Sequence, residues 1–317
     1  MEYFENYQFR ASQNHLLMTG TIGVSEVQEI RIKELIEERE KGVNINGNKV
    51  KWTENKRQEL KKLEFNRDNP ELPKTMKNEL RKIHRAEKFN RNFIFTNKYL
   101  QKGIDQEREA TADLNNYIIQ VLGENVFLDD ETERLFNEMF QGEPDIKPFM
   151  FRGKKCGWDT KCSWNLDTFP YPEDELDAVY EYQNQTYMDL TDSEMWITAY
   201  VLVNCTEYGL HNEKMKHFNA LGMPGDADHR NWDELIEKYK DAEKMLIFDY
   251  DRFIELNPYH QMEFTRKEWM DQELDIPLKN RVVLKESHRN EKVLEEMRDR
   301  VIIARKYLVS LEEQTKI

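Results

Sequence analysis

Two carboxylates and a lysine stand in this sequence at a spacing that suits hydrolysis of a phosphodiester. Asp145 lies in the run Gly142-Glu143-Pro144-Asp145-Ile146, and Asp159-Thr160-Lys161 follows in a stretch that reads as a β-strand. Side chains at i and i+2 of a strand leave the same face, so Asp159 and Lys161 project together. Asp145 is expected beside them on a neighbouring strand or turn. Paired carboxylates hold a hard divalent cation through oxygen, and such a cation polarises a phosphate and acidifies the attacking water. A lysine beside the metal is expected to have a lowered pKa and to orient or deprotonate that water. Taken alone, the three residues read more readily as a turn cap and an exposed strand pair.

A third acid is expected on a helix ahead of the strands. Gly103-Ile104-Asp105-Gln106-Glu107 supplies it: Glu107 follows Gly103 by about one turn, and the glycine is expected to let the helix lie close to the sheet. Glu109 is the rival, two residues on and pointing to another face of the helix.

The elements that must position these groups follow from periodicity. Residues 25–41, 53–66, 74–90 and 99–122 read as helices, with the breaker Asn69-Pro70-Glu71-Leu72-Pro73 between the second and third. Val43 to Val50 reads as a short hairpin around Asn46-Gly47. Three short runs, Val126–Leu128, Phe149–Phe151 and Gly157–Thr160, read as strands. Residues 173–190 return to helix, and the β-branched run Ile197–Asn204 is a good central strand. From Asn212 the chain reads as mostly charged helix, ending in an amphipathic segment with Val293, Leu294, Met297, Val301, Ile302, Ala304 and Leu308. The order implies an α/β fold, a mixed central β-sheet flanked by helices, with further helices at both termini. The segments divide as 1–98, an N-terminal helical region with basic helices; 99–210, the core; and 211–317, a C-terminal helical region packing on it.

The motifs around these residues resemble a known family. Asp159-Thr-Lys-Cys-Ser-Trp-Asn-Leu-Asp-Thr-Phe-Pro170 resembles the DIKSSW…TFP signature of the YqaJ-like phage exonucleases, the lambda-type members of the PD-(D/E)xK nuclease superfamily. Tyr180-Glu-Tyr-Gln183-Asn-Gln185-Thr-Tyr187-Met188 resembles their YYxQxQxYM helix. Asn97-Lys-Tyr-Leu-Gln-Lys102-Gly103-Ile-Asp-Gln-Glu107 resembles the NKYxxKGxxxE segment. Arg10-Ala11-Ser12 with Met18-Thr19, and Ile276 to Val282, are similar to the opening and closing motifs. The resemblance touches most of the chain, in the family's order.

The resemblance implies a restriction-endonuclease-like core and specific roles. Glu107, Asp145 and Asp159, with the main-chain carbonyl of Thr160, would hold Mg2+, for which Mn2+ can substitute. Lys161 would be the catalytic lysine, and Gln183 would support the site or touch DNA. Ser163, Trp164, Gln185 and Tyr187 would lie near the DNA, although Trp164 and Tyr187 read equally well as core aromatics. The implied activity is digestion of duplex DNA from an end, 5′ to 3′. The implied partners are double-stranded DNA, a single-strand annealing protein and further copies of the chain in a homo-oligomeric ring, a trimer. A structure-selective endonuclease of the same fold and an inactive DNA- or protein-binding relative are the alternatives. Retention of Glu107, Asp145, Asp159 and Lys161 speaks against the inactive one. Glu143 stands where the family has Thr or Ser, and Cys162 where it has Ser.

Composition sets outer bounds. Of the 317 residues, 38% are hydrophobic and 34% charged. No stretch approaches the roughly 20 apolar residues of a membrane span, and the first residues lack the pattern of a secretory signal. Three cysteines, Cys156, Cys162 and Cys205, make no disulfide framework and fall short of a four-thiolate cluster, so a reducing cytoplasm is expected. The net charge of −14 is unevenly spread: residues 41–103 hold 17 Lys and Arg against 7 Asp and Glu. Lys77, Arg81, Arg85 and Lys88 fall at helical steps and are expected to share a face that tracks phosphates. Arg152 and Lys154 are expected to add a contact near the metal. The alternative is a solvated helix whose cations pair with acidic neighbours.

Overall fold

The structure is a computed structural model that describes residues 2–44, 46–91, 98–128, 132–222, 232–260 and 262–314. The chain forms two compact units, one of Met1–Phe93 with Lys292–Ile317, the other of Ile94–Glu291.

In the first unit three helices follow the expected segments: α1 Glu26–Lys41, α2 Glu54–Asp68 and α3 Lys74–Phe89. Each start is set locally. Ser25 and Gln28 cap one another's backbone at α1 and Thr53 caps α2, satisfying amide groups that the first turn leaves unpaired. Pro73 precedes α3, where a missing N–H costs nothing. Ile32 and Leu35 of α1 pack on Leu60 and Leu63 of α2, and Arg31 joins the two helices through Glu59 at 2.9 Å. The helix Glu291–Gln314, amphipathic as expected, buries Leu294, Met297, Val301, Ala304 and Leu308.

The second unit is a mixed sheet between helices. Its elements begin with α4 Lys98–Gln120, a small antiparallel hairpin of β1 Leu135–Phe136 and β2 Phe140–Gly142, and the strands β3 Ile146–Phe151 and β4 Lys154–Cys162. Then come α5 Ala178–Thr191, β5 Met195–Val201, α6 Glu207–Ala220, α7 Trp232–Leu246, α8 Tyr250–His260, α9 Arg266–Asp271 and β6 Val282–His288. The main sheet runs β3-β4-β5-β6. β4 lies antiparallel to β3 and parallel to β5, and β5 lies antiparallel to β6. The parallel pair requires a crossover, which α5 supplies.

Side-chain alternation gives the sheet two distinct faces. Ala110, Leu114 and Ile118 of α4 pack on Trp158, Ile197, Ala199 and Val201. On the other face Asn184 of α5 donates to the Thr198 hydroxyl (2.8 Å) and to Ser287 (3.0 Å), and Tyr187 stacks on Trp196 with ring centroids 5.0 Å apart. Close approach falls at Gly157, where a Cβ would lie 2.1 Å from the Trp196 ring. At Gly103, the position expected to need it, a Cβ would meet nothing within 4 Å. Residues beyond Asn212 build a second core of this unit, in which Leu210, Leu246, Phe253 and Trp269 surround Trp164.

Two strand expectations change. Val126–Leu128 is not a strand: the Leu128 amide is satisfied by the Asn115 side chain at 2.8 Å and not by a neighbouring strand. Conversely, β6 lies within the tail expected to be mostly helical. Its buried positions include Lys285 and Ser287, which mask the apolar alternation.

Candidate active site

β4 pairs with β5 in the register Asp159 to Thr198 and Lys161 to Tyr200. Asp159 and Lys161 therefore share the face turned to α5, as their spacing predicts, and Thr160 and Cys162 point to the face turned to α4. Asp145 stands just before β3. Its Oδ2 accepts from the Thr160 N–H at 2.8 Å, which holds its carboxylate against the same stretch of β4. A register irregularity between Ile146 and Phe149 adjusts the approach of the two strands.

The electrostatics of this end of β4 are those of two acids in a dry place. Asp159 is 1% exposed. It pairs with Lys161 through Oδ2, and its Oδ1 has no hydrogen-bond partner. Burial, and then the charge of Asp159, pushes the Asp145 carboxyl well above the usual carboxylate range. Burial works against the charge on Lys161, but Asp159 and Asp145 outweigh it and the lysine is raised. That reverses the expected lowering, because the protein alone places two anions beside Lys161. Its ammonium also lies 5.1 Å from the centre of the Tyr180 ring.

Glu107 comes to this region on α4, from the opposite side of the sheet. Its side chain is exposed, and its charge is felt at Cys162, the residue after Lys161. Among the described residues no group of three Asp, Glu, His or Cys side chains stands close enough to hold a metal ion. Glu109 turns elsewhere. It accepts from Gln106 at 3.1 Å, and burial raises its pKa in a network with Arg252 and Asp113.

The α5 residues divide by helix face. Gln183 donates to the Tyr187 hydroxyl (3.5 Å), which donates to the carbonyl of Glu143 (2.9 Å). Burial and the charge of Asp159 both raise the Tyr187 phenol, which places it within the field of the site. Gln185 is fully buried. Its amide nitrogen donates to Glu181 (2.8 Å) and to the His288 carbonyl (2.7 Å), and its oxygen accepts from Asn290 N–H (2.9 Å). With every polar group engaged it braces α5 to the end of β6 and has no surface to offer DNA. Trp164 is likewise a core residue, and Ser163 is buried with its hydroxyl unpartnered. The Glu143 side chain faces Arg134 at 3.8 Å. Burial pushes the Cys162 thiol up to about 12, so it stays protonated and no better a ligand than a hydroxyl.

Arg152 and Lys154 sit at the opposite end of β4 from Asp159 and Lys161, away from the position where a contact near a metal was expected. Arg152 and Gly153, with φ of 48° and 79°, form the two-residue turn between β3 and β4. Lys161 comes seven positions after Lys154, about 23 Å of extended strand. On α3, in the other unit, Lys77 pairs with Glu71 at 2.9 Å and Lys88 with Glu312 at 3.2 Å. Arg81 and Arg85 are exposed and in no ion pair among the described residues.

One buried charge near these strand ends is not among the residues expected to build the site. Lys102, quoted above only as part of a motif, is 4% exposed and donates to three main-chain carbonyls of the strand ends. Its signal was its place five residues before Glu107.

The crystal structure of a phage related exonuclease from Haemophilus somnus 129PT aligns over 98% of this chain and 97% of its own, with a TM-score of 0.57 at 20% identity. The chain shares that exonuclease's fold. An alkaline exonuclease from Laribacter hongkongensis aligns over 100% of this chain and 96% of its own with a TM-score of 0.40 at 14% identity; its complex with dAMP gives 0.40 at 15%. No family model and no curated protein matches the sequence. The likeness to the first of these carries the mixed-sheet fold over nearly the whole length. No helix among the described residues is long and apolar enough to cross a membrane.

Proposed function

We propose that the chain is a metal-dependent deoxyribonuclease that digests linear duplex DNA from an end, 5′ to 3′. One observation carries this reading: Asp145, Asp159 and Lys161 meet at one end of β4, where the buried Asp159 carboxylate is paired with Lys161 through Oδ2 and keeps its Oδ1 without a hydrogen-bond donor. A buried acceptor left so is costly unless a cation satisfies it. All-oxygen donors suit Mg2+, with Mn2+ as substitute. Asp145, Asp159, the Thr160 carbonyl and Glu107 would hold the ion, Glu107 completing the shell from the α4 side. Bound there, the cation would polarise the scissile phosphate and lower the pKa of the attacking water.

The protein's own groups do the rest. Lys161 is held by Asp159 at the site's edge, where its ammonium can orient the attacking water and give a proton to the leaving 3′ oxygen. Tyr187 and Gln183 fix the Glu143 carbonyl and so the chain entering Asp145. A cation there would favour the ionised form of Asp145, which burial and the charge of Asp159 oppose. Arg81 and Arg85 would supply phosphate contacts without reading sequence. A homo-oligomeric ring, a trimer, acting with a single-strand annealing protein in phage-type recombination completes the proposal, and light scattering reads the assembly.

The test is end-labelled linear duplex, nicked circle and closed circle, each with Mg2+ or EDTA. The proposal expects the linear substrate to shorten from its 5′ ends only with Mg2+, and closed circles to survive. Rapid nicking of closed circles would establish the endonuclease alternative instead, and cleavage that persists in EDTA would remove the metal.

A further inference from the structure

Lys102 spends a whole buried charge on backbone. Its ammonium donates to the carbonyls of Ser163 at 2.9 Å, Trp164 at 3.0 Å and Val203 at 2.7 Å. Three hydrogens meet three acceptors, so the group is fully satisfied. Ser163 and Trp164 directly follow β4, and Val203 follows β5. The Trp164 and Phe248 rings flank the ammonium at 5.7 and 5.6 Å. Lys102 belongs to α4, so one side chain ties the first turns of that helix to the ends of the two central strands.

The tie falls where the site needs it. Glu107 lies five residues further along α4, about 7.5 Å of helix rise, and reaches the site from a different face of the sheet than Asp159. Its approach is therefore set by how α4 is docked against the strand ends. The apolar contacts of Ala110, Leu114 and Ile118 fix the later turns of α4; the Lys102 bonds fix the earlier ones. At Gly103 a side chain would meet nothing within 4 Å, so shape packing does not hold this turn.

We infer that Lys102 is a positioning residue for the metal site: its three carbonyl bonds lock the start of α4, and with it Glu107, against the strand end that carries Asp159 and Lys161. The inference rests on the proposed metal-dependent nuclease. Lys285 provides an internal control. It too is buried, and it too donates to three carbonyls, those of Tyr171 (2.7 Å), Pro172 (2.8 Å) and Asp174. Its bonds secure the far end of the segment leaving β4 and do not touch α4.

The experiment measures Mn2+ binding to the full chain without DNA, by calorimetry and by the paramagnetic signal of free Mn2+, for wild type, K102M, K102R and K285M. Melting temperatures without metal are taken alongside. Groups that orient metal ligands typically change affinity 10–100-fold when removed. K102M is expected to bind Mn2+ at least tenfold more weakly. K285M is expected to melt lower, as K102M does, but to bind Mn2+ within twofold of wild type. K102R keeps the charge and the donors on a longer head, so it is expected to fold and to bind between wild type and K102M. Should K102M fail to fold, K102R decides: wild-type Mn2+ affinity in K102R would overturn the inference. Equal weakening in K102M and K285M would overturn it too, since that would be general loosening. A wild type that binds Mn2+ and cleaves, with K102M unchanged, would sink this inference and leave the nuclease standing. A wild type that binds no Mn2+ would sink both.

Discussion

At the first end of β4, Arg152 and Lys154 stand in water around a tight turn, and Arg152 answers Glu124 across the surface at 3.0 Å. At the other end, Asp159 and Lys161 occupy a nearly dry space with Asp145 close by. One strand thus carries charge in two ways. The exposed ion pair contributes on the order of 0–1 kcal/mol and is screened by salt. At the enclosed end burial and the charge of Asp159 raise the Asp145 carboxyl, and Lys161 opposes that rise. A charge is informative about chemistry where the fold has kept it out of water at a cost.

That contrast breaks most directly at the enclosed end. D145N removes one of two repelling acids, so cleavage should be lost while the metal-free protein melts no lower than wild type. K161A should lower cleavage roughly 10²–10⁴-fold, the usual range for a group that manages a proton. End-labelled duplex and a thermal melt measure both. A D145N protein that melts well below wild type would mean that Asp145 is present for the fold, and the contrast between the two ends would fall.

A sharper comparison lies along α4. Glu107 and Glu109 are two residues apart, yet one is exposed and the other is drawn into the Gln106, Arg252 and Asp113 network. E107Q should cost cleavage about tenfold to 100-fold, the range for a group that tunes metal affinity, and higher Mg2+ should recover part of it. E109Q should leave cleavage within about threefold, because neutralising an acid already raised by burial changes little. The reverse order of effects would make Glu109 the third ligand.

The chemistry was easier to read than the scaffold. Asp159 and Lys161 are legible because strand alternation is a fixed geometric rule, and Asp145 because it precedes a neighbouring strand. β6 was not legible: Lys285 and Ser287 sit on its buried side, and only the carbonyls of Tyr171, Pro172 and Asp174, distant in sequence, make that burial tolerable for a lysine. The hairpin of β1 and β2 is too short for any period to show. Whether Trp164, Gln185 and Tyr187 face DNA or the interior depends on contacts with α7, α8 and β6 that no local pattern contains.

Lys102 titrates between the two extremes. Burial draws it down to about 8 from its ordinary 10.5, with Cys205, Cys162 and Glu109 facing it and raising it. At neutral pH it remains an ammonium with three donors; above about 8 it becomes an amine with two. The folded pKa lies below the unfolded one, so the unfolded chain binds the extra proton between about 8 and 10.5. The wild type should therefore gain stability relative to K102M as pH rises through that window, and the gain should vanish as pH falls below 8. Melting temperatures of the two proteins across pH 7–10 measure the difference. A constant gap would place Lys102 in water, contrary to its burial.

The smallest effects belong to the exposed cations, and DNA length separates them from the site. The turn at Arg152 and Gly153 lies about 23 Å of strand from Lys161. A duplex rises about 3.4 Å per base pair, so DNA seated at the site must extend some seven base pairs before it can meet Lys154. R152A and K154A should leave binding of very short duplexes unchanged. With longer duplexes each is expected to weaken binding slightly and to flatten the slope of log Kd against log salt by at most about 0.9, the value for one phosphate contact. R81A and R85A should each flatten the slope similarly with long duplex, without loss of melting temperature, because neither side chain holds an ion pair that folding would miss. Fluorescence anisotropy with labelled duplexes of increasing length, at several salt concentrations, reads all four variants. If K154A weakened a duplex of four or five base pairs, DNA would have to lie along β4 and not leave from its end, and the two ends of the strand would belong to one surface.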